Sequence, residues 1–424
     1  KYYYISAPIC LEPDNIKFSL WTLTDFKYKK AIDLFAKKKE TLGLTKTSDK
    51  PDLPNFTKVP GYKVKDIKTF NEYNRDELRN LLMELSSELW SQPEILTSYL
   101  VFSVNEQVIF YINSEGSEAY YNKRTASITC NASTILKDGN PWGNSFSIYL
   151  VDNEKVDLKL IRNEFNKFLK DFKEYYHNAR ELESQYIGPA LYLGTEGPAY
   201  FSSYLTYIIC SDRKNYEKNT LPLFDKLNLR ILLPGTDVVD NPTLTKFKDL
   251  SFSDMKIDKE GVKPRIVKVV DNGKFINFLT TKVPIENFPE SNGHCSSFSE
   301  SSYASPTNLI ITNSNAKSKA QLLSEMKKIC DENDLDHGII FEDGFTYYYD
   351  FKTNKKILLK NLSESRKDSI RALRDIKAFG NEQHVYRYSG NNFVIISPSI
   401  LVTDVELKKS RQQNILLPIL PQPN

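Results

Sequence analysis

The spacing of apolar residues divides the chain into helix-like and strand-like tracts. From 21 to 43, Phe26, Ala31, Leu34 and Phe35 recur at helical spacing, and Gly43 marks a stop. Three prolines among polar residues then predict an extended surface linker over 45–63. The spacing predicts a second helix over 74–90, with Asn74 as its cap and Glu77 at the capping-box position. The pattern next turns to β. Short aromatic and β-branched runs at 94–104, 107–112, 117–122 and 125–133 predict strands, with a hairpin turn at 113–116. A third, amphipathic helix is predicted over 157–184, with Leu160, Phe165, Phe168, Leu169 and Phe172 on one face.

Beyond 185 the texture becomes more β-rich. The stretch "YIGPALYLGTEGPAYFSSYL" (186–205) runs from an apolar strand-like tract through a turn into a helix-like tail. A hairpin is predicted at 265–280, turning at Asp271-Asn272-Gly273, because Asn-Gly tolerates the positive φ of a tight turn. A Ser-rich loop follows at 288–306 and a helix at 318–334. A strand meander is predicted over 338–361, a helix over 363–376 and a hairpin over 384–402; the proline-rich tail is extended. The expectation is an α+β fold in two domains: residues 1–184 as a mixed helix and antiparallel-sheet domain, and 185–424 as a β-rich domain.

Composition adds limits. The 424 residues carry 57 basic and 54 acidic side chains, a net charge of +3, which lacks the basic excess of a dedicated nucleic-acid binder. The Lys37-Lys38-Lys39 run reads as a solvated helix face. No apolar run reaches the ~18 residues of a membrane span. The five cysteines (Cys10, Cys130, Cys210, Cys295 and Cys330) form no CxxC pair, so neither a zinc knuckle nor a redox motif is readable. The start "KYYYISAP" lacks Met and is read as trimmed. A removed leader would place the chain in the periplasm or envelope; without one it belongs in the cytoplasm.

In order along the chain, "LWTLTDFKYKKAIDLFAKKK", "INSEGSEAYY", "YIGPALYLGTEG", "DVVDNPTL", "DKEGVKPRIVKVVDNGKFINFLTTKVP", "SNGH", "SPTNLII" and "AFGNEQHVYRYSGNNFVIISPSILVTDVELKKS" resemble the TldD/PmbA family, relatives of zinc metallopeptidases. The resemblance implies a shared cleft in the C-terminal half, dimers with an identical or related subunit around a chamber, and further residues before Lys1. In the family's active branch an HExxxH motif follows a Gly-Pro-apolar segment. Its two histidines and a later cysteine hold zinc, which lowers the pKa of a bound water; the glutamate takes that water's proton. Here the matching segment places Thr195 and Tyr200 at the histidine positions around Glu196, or Gly194 and Ala199 in the shifted register. The four histidines, His177, His294, His337 and His384, all lie elsewhere. No cofactor is therefore expected, although active relatives use zinc.

The cleft candidates are Thr195, Glu196, Tyr200, His294 and Cys295, with no catalytic or metal-binding residue assigned. Glu196 also fits a helix N-terminal carboxylate favoured by the helix dipole, and "SNGH" a structural turn set by Asn292-Gly293. Adjacent residues on an extended chain point apart, so His294 and Cys295 make a poor base–nucleophile pair. The subgroup commonly follows this histidine with Gly-Arg, where this chain has Cys295-Ser296. Asp237 and Asp240 before "NPTL", and Asp258 and Glu260 in "DKEG", read as turn chemistry. The leading expectation is a non-catalytic subunit that binds peptide or an active partner. Two alternatives stay open: a peptidase with an unorthodox metal site around His294, Cys295 and Glu196, and a structural component of an envelope assembly.

Overall fold

Sixteen alternating residues, Thr97–Ile112 (β2), pair without interruption with Glu118–Ile135 (β3), from Thr97 opposite Ser133 to Ile112 opposite Glu118. The computed structural model describes residues 12–44, 53–296, 303–365, 367–388 and 393–410. Four predicted short strands thus merge into two long ones; the polar Asn105-Glu106 pair continues the ladder instead of breaking it. The turn at 113–116 is as expected, with Asn113 Oδ1 accepting from the backbone N–H groups of Glu115 and Ser117.

The described residues before Leu53 form helix α1, Pro13–Leu44, in a unit of its own. It begins earlier than the pattern predicts, with Pro13 in the first turn, where the missing N–H has no partner to lose. The predicted tail and the centre of the Ser-rich loop lie outside the described residues.

In the second unit, from Leu53 onward, β1 (Lys63–Asp66) and β4 (Pro141–Val151) join β3 on the side away from β2. Helices α2 (Arg75–Trp90) and α3 (Leu158–Asn178) cover one face of this four-stranded sheet. Ile128, Cys130 and Ala132 of β3 meet Leu85, Leu89, Phe165, Phe168 and Phe172 there. Asn74 caps α2 as predicted, accepting from the Glu77 N–H. On α3 the buried stripe takes Ile161, whereas the predicted Leu160 is 43% exposed. The helix stops at Asn178 because Arg180 and Glu181 enter a strand. The predicted linker is tethered: the Thr57 N–H donates to the Lys282 carbonyl at 2.8 Å.

The remaining elements build a twelve-stranded sheet and its cover. In chain order they are β5 (Arg180–Glu181), β6 (Tyr186–Tyr192), α4 (Glu196–Tyr204), α5 (Arg213–Glu217) and β7 (Thr236–Asp240). A separate small hairpin, β8 (Lys246–Phe247) and β9 (Leu250–Ser251), precedes β10 (Val267–Asp271) and β11 (Lys274–Phe275). Then come β12 (Asn308–Asn313), α6 (Lys319–Glu332), β13 (His337–Glu342), β14 (Phe345–Asp350) and β15 (Lys355–Lys360). The last are β16 (Leu362–Glu364), α7 (Ser369–Arg374), β17 (Ile376–Tyr388) and β18 (Phe393–Lys409). Asn272 and Gly273, with φ of 47° and 81°, make the predicted β10–β11 turn. The predicted helix at 363–376 is shorter: β16 takes its start, and the Asp368 cap begins α7.

β18 is the hub. One edge pairs with β17 and then β16. Its other edge pairs with β12 at 394–396 and with β6 from Ile400 onward. Between those two partners lie Ser397, Pro398 and Ser399, and Pro398 has no N–H to offer a ladder. The overall fold is α+β in two domains, and no described helix is long and apolar enough to cross a membrane.

Candidate functional site

Helix α4 sits on the interruption in β18. The chain leaves β6 at Leu193, whose N–H donates to the Phe341 carbonyl at 2.8 Å. It turns at Gly194, φ 59°, whose N–H donates to the Ser399 hydroxyl at 3.2 Å. Gly197 then lies against β18 so closely that a β-carbon would stand 2.3 Å from the Pro398 carbonyl oxygen. Pro198 is tolerated because it occupies the first helical turn. The strand thus dictates glycine at 197, and the glycine fixes where the helix starts.

That placement turns Glu196 and Tyr200 toward a cavity of about 270 Å³ walled by Tyr192, Tyr204, Phe341 and Glu364. Tyr192 stacks on Phe341 with ring centres 4.5 Å apart and meets Tyr200 edge-on at 4.8 Å. The Tyr200 hydroxyl donates to the Ala372 carbonyl of α7 at 2.7 Å. The Tyr192 hydroxyl donates to Glu364 Oε1 at 3.0 Å. The Glu196 carboxylate accepts from the Gly344 N–H at 2.8 Å. Burial nevertheless pushes Glu196 above its ordinary carboxylate range, against the lowering effect of that N–H. Burial raises Glu364 too, with the Tyr192 hydroxyl opposing it. Glu364 is exposed as a residue while its carboxylate turns inward, so solvent moderates that rise. Thr195 precedes the helix and makes no side-chain cap bond.

His294 and Cys295 line no part of this cavity. They follow the "SNG" turn, where Gly293 has φ 79° and a β-carbon would stand 2.6 Å from Pro264 Cα. His294 is fully buried. Its Nδ1 lies 2.9 Å from Asn292 Oδ1 and 3.1 Å from the Asn292 carbonyl, and its Nε2 lies 3.1 Å from Asp240 Oδ1. Asn292 Nδ2 donates to the Phe278 carbonyl, which fixes the amide with its oxygen toward the ring. Asp240 also accepts from the Thr307 N–H at 2.8 Å and from its hydroxyl.

Asp240 therefore does not belong to the turn that follows it. It ends β7 as a buried carboxyl, while Asn241 and Leu244 close the turn. Asp258 does organise the predicted "DKEG" turn, accepting from the N–H groups of Glu260, Val262 and Cys295. Burial pushes its carboxyl up to about 6.

These residues do not fit a zinc ion. A histidine ligates through a free lone pair. The Nδ1 of His294 faces two acceptors and must carry hydrogen, and its Nε2 is taken up by the Asp240 carboxyl. At α4 the Tyr200 oxygen is committed to Ala372. Among the described residues no three His, Cys, Asp or Glu side chains stand close enough to share an ion.

Sequence reasoning singled out Thr195, Glu196 and Tyr200 but missed Tyr192, Phe341 and Glu364. Glu364 reaches Tyr192 from 172 positions away, a pairing no local pattern signals.

Comparison with known proteins agrees with this architecture. A structure of a putative modulator of a DNA gyrase from Thermotoga maritima superposes with a TM-score of 0.57 at 19% identity, covering 82% of this chain and 80% of that one. TldE from Thermococcus kodakarensis gives 0.52 at 15% identity, covering 87% and 82%. A putative modulator of DNA gyrase from Bacteroides thetaiotaomicron gives 0.57 at 13% identity, covering 90% and 83%. At these identities the likeness shows the fold alone. No curated protein sequence matches the chain. The model of the PmbA/TldA metallopeptidase central domain matches residues 68–161, and that of the C-terminal domain matches 197–335. Together they span more than half of the sequence, and the chain belongs to the TldD/PmbA family.

Proposed function

We propose that this chain is a TldD/PmbA-family subunit that holds a peptide, or seats against a related subunit, without hydrolysing a peptide bond. The observation that carries the reading is Tyr200. In one of the two registers it stands where the family's active branch is expected to place an imidazole, and its hydroxyl is locked into the Ala372 carbonyl. Glu196 keeps its carboxylate but bonds the Gly344 backbone. The aromatic walls and the two inward carboxyls offer apolar contact and hydrogen-bond groups to a peptide side chain, a binding chemistry that needs no metal.

The test is metal analysis of the purified chain by mass spectrometry, paired with a peptide-cleavage assay before and after chelation. The expected result is less than stoichiometric zinc and no chelator-sensitive cleavage. One tightly bound zinc per chain, with cleavage abolished by chelation, would overturn the proposal. Co-purification with a family member carrying an intact HExxxH would favour the partner-subunit form over the stand-alone peptide binder.

A further inference from the structure

A second cavity lies where the four-stranded sheet meets the β17–β18 hairpin. The helix-covered face of β3 is apolar, so by strand alternation Lys123, Thr125 and Ser127 point the other way. That polar face lines a cavity of about 250 Å³ together with Phe252, Ser253 and Arg387.

Its charges are unbalanced. The Arg387 guanidinium lies 4.9 Å from the centre of the Phe252 ring and 5.6 Å from that of Tyr149. It donates to the Ser251 carbonyl at 2.8 Å, and no carboxylate pairs with it among the described residues. The Lys123 ammonium has no hydrogen-bond or ion-pair partner among the described residues. Burial lowers its pKa, and the nearby Lys259 lowers it further. The Ser253 hydroxyl is buried with no hydrogen-bond partner among the described residues. Glu154 acts on Arg387 only at a distance, and its carboxylate accepts from the Val151 N–H at 2.7 Å. Two partly buried cations and an orphaned hydroxyl around one space are costly unless an anion fills it. The volume is below the ~300–1,000 Å³ of drug-sized pockets, so the occupant is about the size of one residue.

We infer that this cavity binds the carboxylate of a residue-sized organic acid with an apolar or aromatic body. Lys123, Arg387 and Ser253 take the carboxylate, while Tyr149, Phe252 and Phe393 pack the body. A planar carboxylate suits the forked donors of a guanidinium held between rings. A free acid and the C-terminal residue of a peptide share this chemistry. The site is separate from the α4 cavity and stands whether or not that cavity holds peptide.

Calorimetry on the full chain, with 3-phenylpropionate, N-acetyl-glycyl-phenylalanine, the amide of each, and inorganic phosphate as ligands, tests the inference. At least one acid is expected to bind about tenfold or more tightly than its amide, as loss of a charge-assisted bond implies. Binding of the capped dipeptide acid alone identifies a peptide end, and binding of phenylpropionate alone a free acid. Lys123→Gln and Arg387→Gln should each weaken binding by a similar factor, and Lys123→Arg should retain it. Amides that bind as well as acids, preference for phosphate, absence of binding by either acid, or undiminished binding in Gln variants that melt like the parent each overturn it. If a Gln variant fails to fold, the acid–amide contrast on the parent chain still decides.

Discussion

His294 Nε2 and Asp240 Oδ1, 54 positions apart in sequence, meet at 3.1 Å with both side chains wholly shielded from solvent. The ring's Nδ1 faces the Asn292 oxygens, so Nε2 is the nitrogen that meets the Asp240 carboxyl. His294→Ala removes one half and leaves Asp240 with the Thr307 groups alone. A loss of ~3–5 kcal/mol in unfolding free energy is expected by chemical denaturation. Added zinc should leave the melting temperatures of parent and variant alike unmoved; a stabilisation confined to the parent would make His294 a ligand.

Gly197→Ala tests the seating of α4. The new β-carbon would meet the Pro398 carbonyl of β18, so strand and helix must part. A loss of ~1–3 kcal/mol is expected from overpacking. A variant as stable as the parent would show that the helix start is not fixed by this contact.

Asp138, in the turn between β3 and β4, bonds Lys360 and Asn361 beside β15 and so ties the two sheets together. Burial alone would raise its pKa, but Lys360, the Asn140 N–H and Asn361 outweigh it and bring the carboxyl to about 2. Its folded pKa is depressed, so its contribution is present above the unfolded value near 3.8 and is lost as pH falls toward 2. Asp138→Asn should cost ~2 kcal/mol at neutral pH. The gap between variant and parent should close below about pH 3 in a pH series of denaturation curves.

Asp258 has the opposite sign. Burial raises its folded pKa to about 6, so between roughly pH 4 and pH 6 the native state holds more protons than the unfolded chain. Its contribution is complete below the unfolded pKa and fades as pH rises through 6. Asp258→Asn should flatten the fall in stability over that window, a span of up to ~3 kcal/mol. An unchanged pH slope would count against the assignment.

The local elements were the most legible. Asn272-Gly273 announced its hairpin and Asn74 its helix, because a positive φ or an orphan N–H is met by residues adjacent in sequence. Leu160 and Ile161 were confused because one helical step decides which enters the core, and the facing strand makes that choice. The α4 segment could be located, but not its cavity. Glu364 and Phe341 come from β16 and β13, and only the closed sheet brings them to Tyr192. Asp240 was misplaced for the same reason. Its neighbours Asn241 and Pro242 signal a turn, while its partner His294 lies on a distant loop.

β18 carries a consequence for biosynthesis. Without residues 393–409, β12 and β6 have no common neighbour: the strands from β11 to β12 form one group, those from β6 to β5 another, and β16 and β17 lose the strand they pair with. Translation delivers this strand after every other strand described, so each group leaves the ribosome with an open edge. The four-stranded sheet can fold during synthesis; the larger one closes only after elongation has passed its last strand. In that interval the open edges of β12 and β6 are free to pair with other chains.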